Sequence, residues 1–98
     1  MAFRVLSDEA PVVEIDEQSS CAYVRFQRKA KVARTVEHSP SCNVDLDARG
    51  DVVGVELLNI RDFSIRMITN RIPVKAPNVE WDRARFMPVR KPANYEYA

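Results

Sequence analysis

Apolar and polar residues alternate with a period of two along much of residues 12–58. CAYVRFQ (21–27) sets Ala22, Val24 and Phe26 on one side and Tyr23, Arg25 and Gln27 on the other. KVARTVE (31–37) sets Val32, Arg34 and Val36 against Ala33, Thr35 and Glu37. VVEID (12–16), CNVDLD (42–47) and DVVGVELL (51–58) read as three further strands. Polar breaks fall at EQSS (17–20), RKAK (28–31) and HSPS (38–41), where Pro40 cannot donate to a ladder. Five short strands joined by a few residues predict an antiparallel β-meander. DVVGVELL is apolar on both faces, which predicts a central or doubly covered strand.

The period then changes. IRDFSIRMITNR (60–71) brings Ile60, Phe63, Met67 and Ile68 to one helical face, with Asn59 as N-cap and Asp62 in the first turn. This predicts a short helix of about three turns packed on the sheet. The fold class expected is α+β: a small antiparallel meander of about five strands, one short helix after the last strand, then a proline-rich aromatic arm. Residues 1–72 form the β-rich domain in this reading. Residues 73–98 form the arm, with prolines at 73, 77, 88 and 92. Val74, Val79, Trp81, Phe86, Met87, Val89, Tyr95 and Tyr97 give the arm enough apolar surface to need a place to bury it, on the same or a neighbouring subunit.

DLDARGDVVGVE (45–56) has the outline of a calcium loop, and the reading fails on its residues. Arg49 stands at the fifth position, and the flanks are strand-like rather than helical. Asp47-Ala48-Arg49-Gly50 suits a type I turn with Gly50 left-handed. That turn predicts Asp47 facing Asp51, Leu46 facing Val52 and Asp45 facing Val53. Asp45, Asp47 and Asp51 would then lie on one side of the sheet and Glu56 on the other.

Two stretches carry a family resemblance. IDEQSSCAYVRF (15–26) and NVDLDARGDVVGVELLN (43–59), in this order, resemble the small prokaryotic proteins grouped as domain of unknown function 2283. There a hairpin of the type Y-D-x-x-x-D-x-L-Y-I-x-L precedes a second rich in D-x-D-x-x-G-x-I-V-G-I-E-I-L. Asp16, Tyr23, Val24, Arg25 and Phe26 fit the first. Asp45, Asp47, Gly50, Val52, Val53, Gly54, Val55, Glu56, Leu57 and Leu58 fit the second. Ser20 and Ala22 depart from the usual Asp and Leu. The resemblance implies the sheet and the short helix over residues 12–59 and says nothing of residues 73–98. It carries over no catalytic residue. For some members it implies a second small protein encoded alongside, as in toxin–antitoxin pairs, and so a small protein partner.

Ninety-eight residues make one small domain, and 46 % apolar composition suffices for a core. Only Gly50 and Gly54 occur, which removes glycine-rich phosphate loops. The opening MAFRVLSDEAPVV has no signal-peptide pattern, and no apolar run is long enough to span a membrane, so a cytoplasmic protein with no membrane partner is expected. The formal charge of +1 is unevenly placed: residues 1–59 hold 7 Lys/Arg and 10 Asp/Glu, residues 60–98 hold 8 and 4. Such asymmetry suits complementary surfaces within or between chains.

His38 and Cys42 have the types for a Cys–His dyad, but Pro40 lies between them and no third group orients the only histidine. They read better as a loop histidine and a buried cysteine. Too few Cys and His occur for a structural zinc site. Glu14, Asp16 and Glu17 offer paired carboxylates, read as solvated at a turn. No cofactor or metal is expected. The basic run RFQRKAKVAR (25–34) joins Arg83, Arg85, Arg90 and Lys91 as a candidate phosphate-contacting patch, with Trp81, Tyr95 and Tyr97 to stack bases. The function expected first is a non-enzymatic protein-interaction or oligomerisation module, most simply a homodimer, or half of a small two-gene pair. The alternatives are a nucleic-acid-binding protein using residues 25–34 and 83–91, and a small hydrolase using clustered carboxylates. The partner-binding candidates are Trp81, Phe86, Tyr95, Tyr97, Arg28, Lys29, Lys31, Arg83 and Arg85.

Overall fold

A computed structural model of the protein describes residues 3–5, 10–73 and 79–88. The alternating segments become β1 (Val12–Asp16), β2 (Cys21–Arg25), β3 (Arg34–Ser39), β4 (Cys42–Leu46) and β5 (Val52–Leu57). A helix, α1 (Ile65–Arg71), follows, then one 3-10 turn (Trp81–Arg83) and a sixth strand, β6 (Arg85–Pro88). The six strands form one sheet in the order β3-β4-β5-β2-β1-β6.

This order corrects the expected meander. Only β3, β4 and β5 follow one another; the β1–β2 hairpin docks on the far side of β5, through β2. The reason lies in β5. All of its residues except Glu56 are buried, so it needs neighbours on both edges and takes a central place between β4 and β2. The connection from β2 to β3 must therefore cross to the sheet edge. The sheet also has a sixth strand where about five were expected. Arg85–Pro88 lies parallel to β1, and the Arg85 N–H donates to the Pro11 carbonyl at 3.0 Å. Pro88 is tolerated because β6 is an edge strand among the described residues.

The hairpin between β4 and β5 turns as its residues predict. Gly50 has φ +86°, and its N–H donates to the Asp47 carbonyl at 3.0 Å. The Asp47 carboxylate accepts the N–H groups of Arg49 and Asp51 at 2.9 and 3.0 Å. Past the turn the register differs from expectation. Leu46 faces Val52, but Asp45 faces Gly54, because a bulge inserts Val53. The Val53 carbonyl accepts two successive N–H groups of the other neighbour, Phe26 at 2.8 Å and Gln27 at 3.1 Å. The extra residue shifts the side-chain parity, so Asp45 and Glu56 lie on one face rather than on opposite faces.

The other face is the core. Val13, Ala22, Val24, Cys42, Val44, Leu46, Val55 and Leu57 turn inward from the strands, and Phe26 and Val52 join them. Ile60, Ile68 and Val79 cover them, with Phe63, Ile72 and Trp81 packed at the margin. The helix starts later than predicted. Asn59 has φ +57°, a left-handed conformation that cannot cap a helix, and the chain runs to Ser64 before its hydroxyl caps the Met67 N–H at 3.4 Å. Ile60 and Ile68 are buried as the pattern required, whereas Met67 is 40 % exposed. The Arg71 guanidinium anchors the helix end by donating to the carbonyls of Leu58 (2.8 Å), Ser41 (3.3 Å) and Asn59 (3.4 Å).

The segment around Arg4 seals the turn end of the sheet. Its carbonyl accepts the Val52 N–H at 2.8 Å, and its guanidinium meets the Asp51 carboxylate at 2.7 Å. Asp51 is only 2 % exposed. Replacing Arg4 with Met leaves that carboxylate buried without its cation. Urea unfolding should show a loss of about 1–3 kcal/mol. An unchanged midpoint would mean that Asp51 is solvated by another route.

Candidate functional site: the polar face of the sheet

Strand register sets the polar face in two rows. One runs Glu37, Asn43, Glu56, Tyr23, Glu14, Met87 across β3, β4, β5, β2, β1 and β6. The next runs Thr35, Asp45, Gly54, Arg25, Val12, Arg85. Asp16 and Cys21 form a further pair at the end where β1 stops and β2 starts.

Neighbouring side chains hold most of these groups. The Tyr23 ring lies over Gly54, where any Cβ would collide with it. Its hydroxyl thereby reaches two strands across and donates to Asp45 Oδ2 at 2.7 Å. Thr35 Oγ1 donates to Asp45 Oδ1 at 2.6 Å, so residues of three strands, β2, β3 and β4, share one carboxylate-centred network that passes over β5. Asn43 donates to Glu56 at 2.9 Å. Arg25 donates to Glu14 at 3.2 and 3.3 Å and lies 5.0 Å from the Tyr23 ring centre. Burial, followed by the bond to Asp45, pushes the Tyr23 phenol well above its ordinary value. The Asp51 backbone N–H holds the Asp47 carboxyl below its usual range, assisted by Gln27 and the Arg49 N–H against a smaller effect of desolvation.

A groove of about 300 Å³ opens on this face, lined by Glu14, Asp16, Ser19, Cys21, Tyr23 and Glu56. Asp16 accepts the Ser19 N–H at 3.2 Å, and the Cys21 thiol donates to the Ser19 carbonyl at 3.1 Å. Burial, then Glu56 and Asp16, push the Cys21 thiol up, so it stays protonated at neutral pH. Among the described residues no group of three or more His, Cys, Asp or Glu is placed to hold a metal ion.

The structure separates the His38–Cys42 pair. Cys42 turns into the core, where burial raises its pKa against a smaller opposing effect of Arg71. His38 is exposed, with its ring edge-on to Phe3 at 6.1 Å between centres. Glu14 and Asp16 share the groove, whereas Glu17 stands exposed in the turn.

The partner-binding candidates scatter. Trp81 packs edge-on against Phe26 at 5.8 Å and belongs to the core margin. Arg28, Lys29 and Lys31 are exposed on the β2–β3 connection. Arg83 pairs with Glu80 at 3.1 Å. Arg85 and Phe86 are exposed on β6, with Arg85 on the polar face and Phe86 on the opposite side by register. Tyr95 and Tyr97 lie outside the described residues, as do Arg90 and Lys91. The sequence reading missed the Tyr23–Asp45–Thr35 network. Its signal was Gly54, since a glycine inside a strand marks a close approach.

Two outcomes follow for this face. Gly54→Ala should destabilise the protein by about 1–3 kcal/mol, through the collision with Tyr23. In a Tyr23→Ala background most of that loss should vanish; an equal loss in both backgrounds would place the strain elsewhere. In a spectroscopic pH titration, Tyr23 should ionise above the ordinary tyrosine range, and Asp45→Asn should bring it down. Because the folded pKa is raised, the stability linked to Tyr23 is complete below the unfolded value of 10.0 and is lost as pH rises beyond it.

The family comparison falls on this framework. The model of "Protein of unknown function (DUF2283)" matches residues 12–61, from the start of β1 to just past β5. No curated protein and no solved structure matches the chain. The matched segment contains Tyr23, Asp45 and Gly54, the residues that lock the polar face, and covers more than half of the sequence. The chain therefore belongs to the family of proteins of unknown function DUF2283.

Proposed function

We propose that the protein is a non-enzymatic interaction module that acts as a homodimer and uses the polar sheet face as its contact surface. One observation carries this reading: the side chains of that face are fixed by one another while remaining at the solvent boundary. Tyr23, Thr35 and Asp45 form one locked set, Asn43 and Glu56 a second, Arg25 and Glu14 a third. A surface ordered in advance loses little conformational freedom on binding, which favours recognition. Both oxygens of the Asp45 carboxylate accept a hydrogen bond within the face, from Tyr23 and Thr35, so it serves first to hold that set in place.

The charge of the face also bears on the choice of partner. Glu14, Asp16, Glu37, Asp45 and Glu56 stand against Arg25 and Arg85, so the face disfavours phosphate backbones. Sedimentation velocity over a wide concentration range tests the proposal. A reversible monomer–dimer equilibrium is expected. A monomer at every concentration would overturn the homodimer, and turnover of a substrate dependent on Asp45 would overturn the non-enzymatic reading.

A further inference from the structure

The end of the sheet that carries the β4–β5 turn also carries the long connection from β2 to β3. Register fixes this: the end of β2, the start of β3 and the Asp47–Gly50 turn all lie there. The connection is pinned on both sides. The Gln27 N–H donates to the Val53 carbonyl at 3.1 Å, and the Ala33 N–H donates to the Leu46 carbonyl at 2.8 Å. Between these bonds the chain passes the ends of β5 and β4 with Lys29 and Lys31 exposed. Arg34 stands exposed where β3 starts, and Arg49 stands exposed in the turn. Pairing leaves this end positive. Arg4 meets Asp51, Arg25 meets Glu14, and Arg83 meets Glu80, so these cations are neutralised. Arg28 is itself engaged and is left out of the balance. Among the described residues, Lys29, Lys31, Arg34, Arg49 and Arg85 then stand against Asp45, Asp47 and Asp82, five charges against three. Asp45 is bonded by Tyr23 and Thr35, and Asp47 by Gln27 and the backbone N–H groups of its own turn. Both carboxylates are thus committed to holding the structure.

From β3 to β2 the sheet order spans three strand spacings, about 14 Å, and the four cations at this rim lie across that width. One strand of a nucleic-acid duplex presents a phosphate about every 3.4 Å of axis, so the rim faces about four of them. The aromatic residues beside the connection are not available to bases. Phe26 is 1 % exposed, and Trp81 packs edge-on against it. Without a stacking platform, unpaired bases gain nothing here, whereas a duplex keeps its bases stacked and offers its backbone. A lipid surface is less well matched, since Val32 is the only large apolar side chain exposed on the connection. We propose that this end of the sheet binds the phosphate backbone of a nucleic-acid duplex, without reading its sequence, through Lys29, Lys31, Arg34 and Arg49. The surface is separate from the acidic polar face, and its use does not depend on whether two copies of the chain meet there.

Fluorescence anisotropy of a short labelled DNA duplex of arbitrary sequence, titrated with the full chain at several salt concentrations, tests the proposal. Binding should weaken with salt along a log–log slope of about −3 to −4. Lys29→Gln/Lys31→Gln should lower the magnitude of that slope by about two and weaken binding at low salt by about tenfold or more. A further pair of variants separates place from net charge. Lys31→Glu and Arg61→Glu change the charge equally, but Arg61 follows Ile60, whose N–H bonds Ser20 at the opposite end of the sheet. Both positions are exposed, and melting temperatures verify that each variant folds. Lys31→Glu should weaken binding, and Arg61→Glu should leave it nearly unchanged. No binding at low salt would overturn the proposal, as would equal losses from these two variants. Tighter binding of polyglutamate or of phosphatidylserine vesicles than of the duplex would also overturn it, and would assign the rim to an acidic peptide or a lipid surface.

Discussion

The Val53 carbonyl accepts hydrogen bonds from two successive N–H groups, and the arrangement of both sheet faces depends on that doubled contact. The bulge adds one residue to β5 opposite Asp45 and Leu46. On one side of it, Val52 points into the core with Leu46; on the other, Val55 and Leu57 do so with Val44 and Cys42. Without the extra residue, one set or the other would face solvent. The same shift brings Gly54 opposite both Asp45 and Arg25, and Glu56 opposite both Asn43 and Tyr23. Core and polar face are thus two consequences of one backbone irregularity.

Gly54 converts that register into a fixed surface. A side chain there would exclude the Tyr23 ring; its absence lets the ring cross β5 and reach Asp45. Thr35 then closes the network from the edge strand. Hydrogen bonds to charged acceptors contribute about 1.5–3 kcal/mol each when shielded, and less at the solvent boundary. Their main effect here is positional: they tie β2, β3 and β4 together across β5 and hold the carboxylates apart.

Much of this was legible in the residues. Alternation located β2 because a half-buried strand imposes a period of two, and the apolar run DVVGVELL located β5; β3 instead begins at Arg34 and runs to Ser39, into the stretch read as a break. The Asp47–Gly50 turn was readable because a left-handed position selects glycine. The helix start was not: Asn59 satisfies the composition of a cap, yet its backbone is left-handed, and only the packing of Ile60 decides that. The strand order was hidden because neighbours in sequence need not be neighbours in space; β5's two-sided apolarity announced a central strand without naming β2 as its partner. VEWDRARFMPV (79–89) could hold either a strand or a helical turn, and the choice was not legible because β6 pairs with β1 in parallel and far away in sequence. The bulge left no trace, since the valines on either side of it are alike. For the site, Gly54 and Tyr23 stood within the family motifs, but their contact depends on the register the bulge creates.

The central claim is that the polar face, fixed by its own hydrogen bonds, is the surface through which copies of this chain meet. Backbone chemical shifts followed from dilute to concentrated solution test it most directly. The account predicts concentration-dependent shifts at Glu14, Tyr23, Arg25, Asp45 and Glu56, with α1 and the core-facing residues unmoved. Shifts that do not depend on concentration, or changes confined to α1, would contradict it.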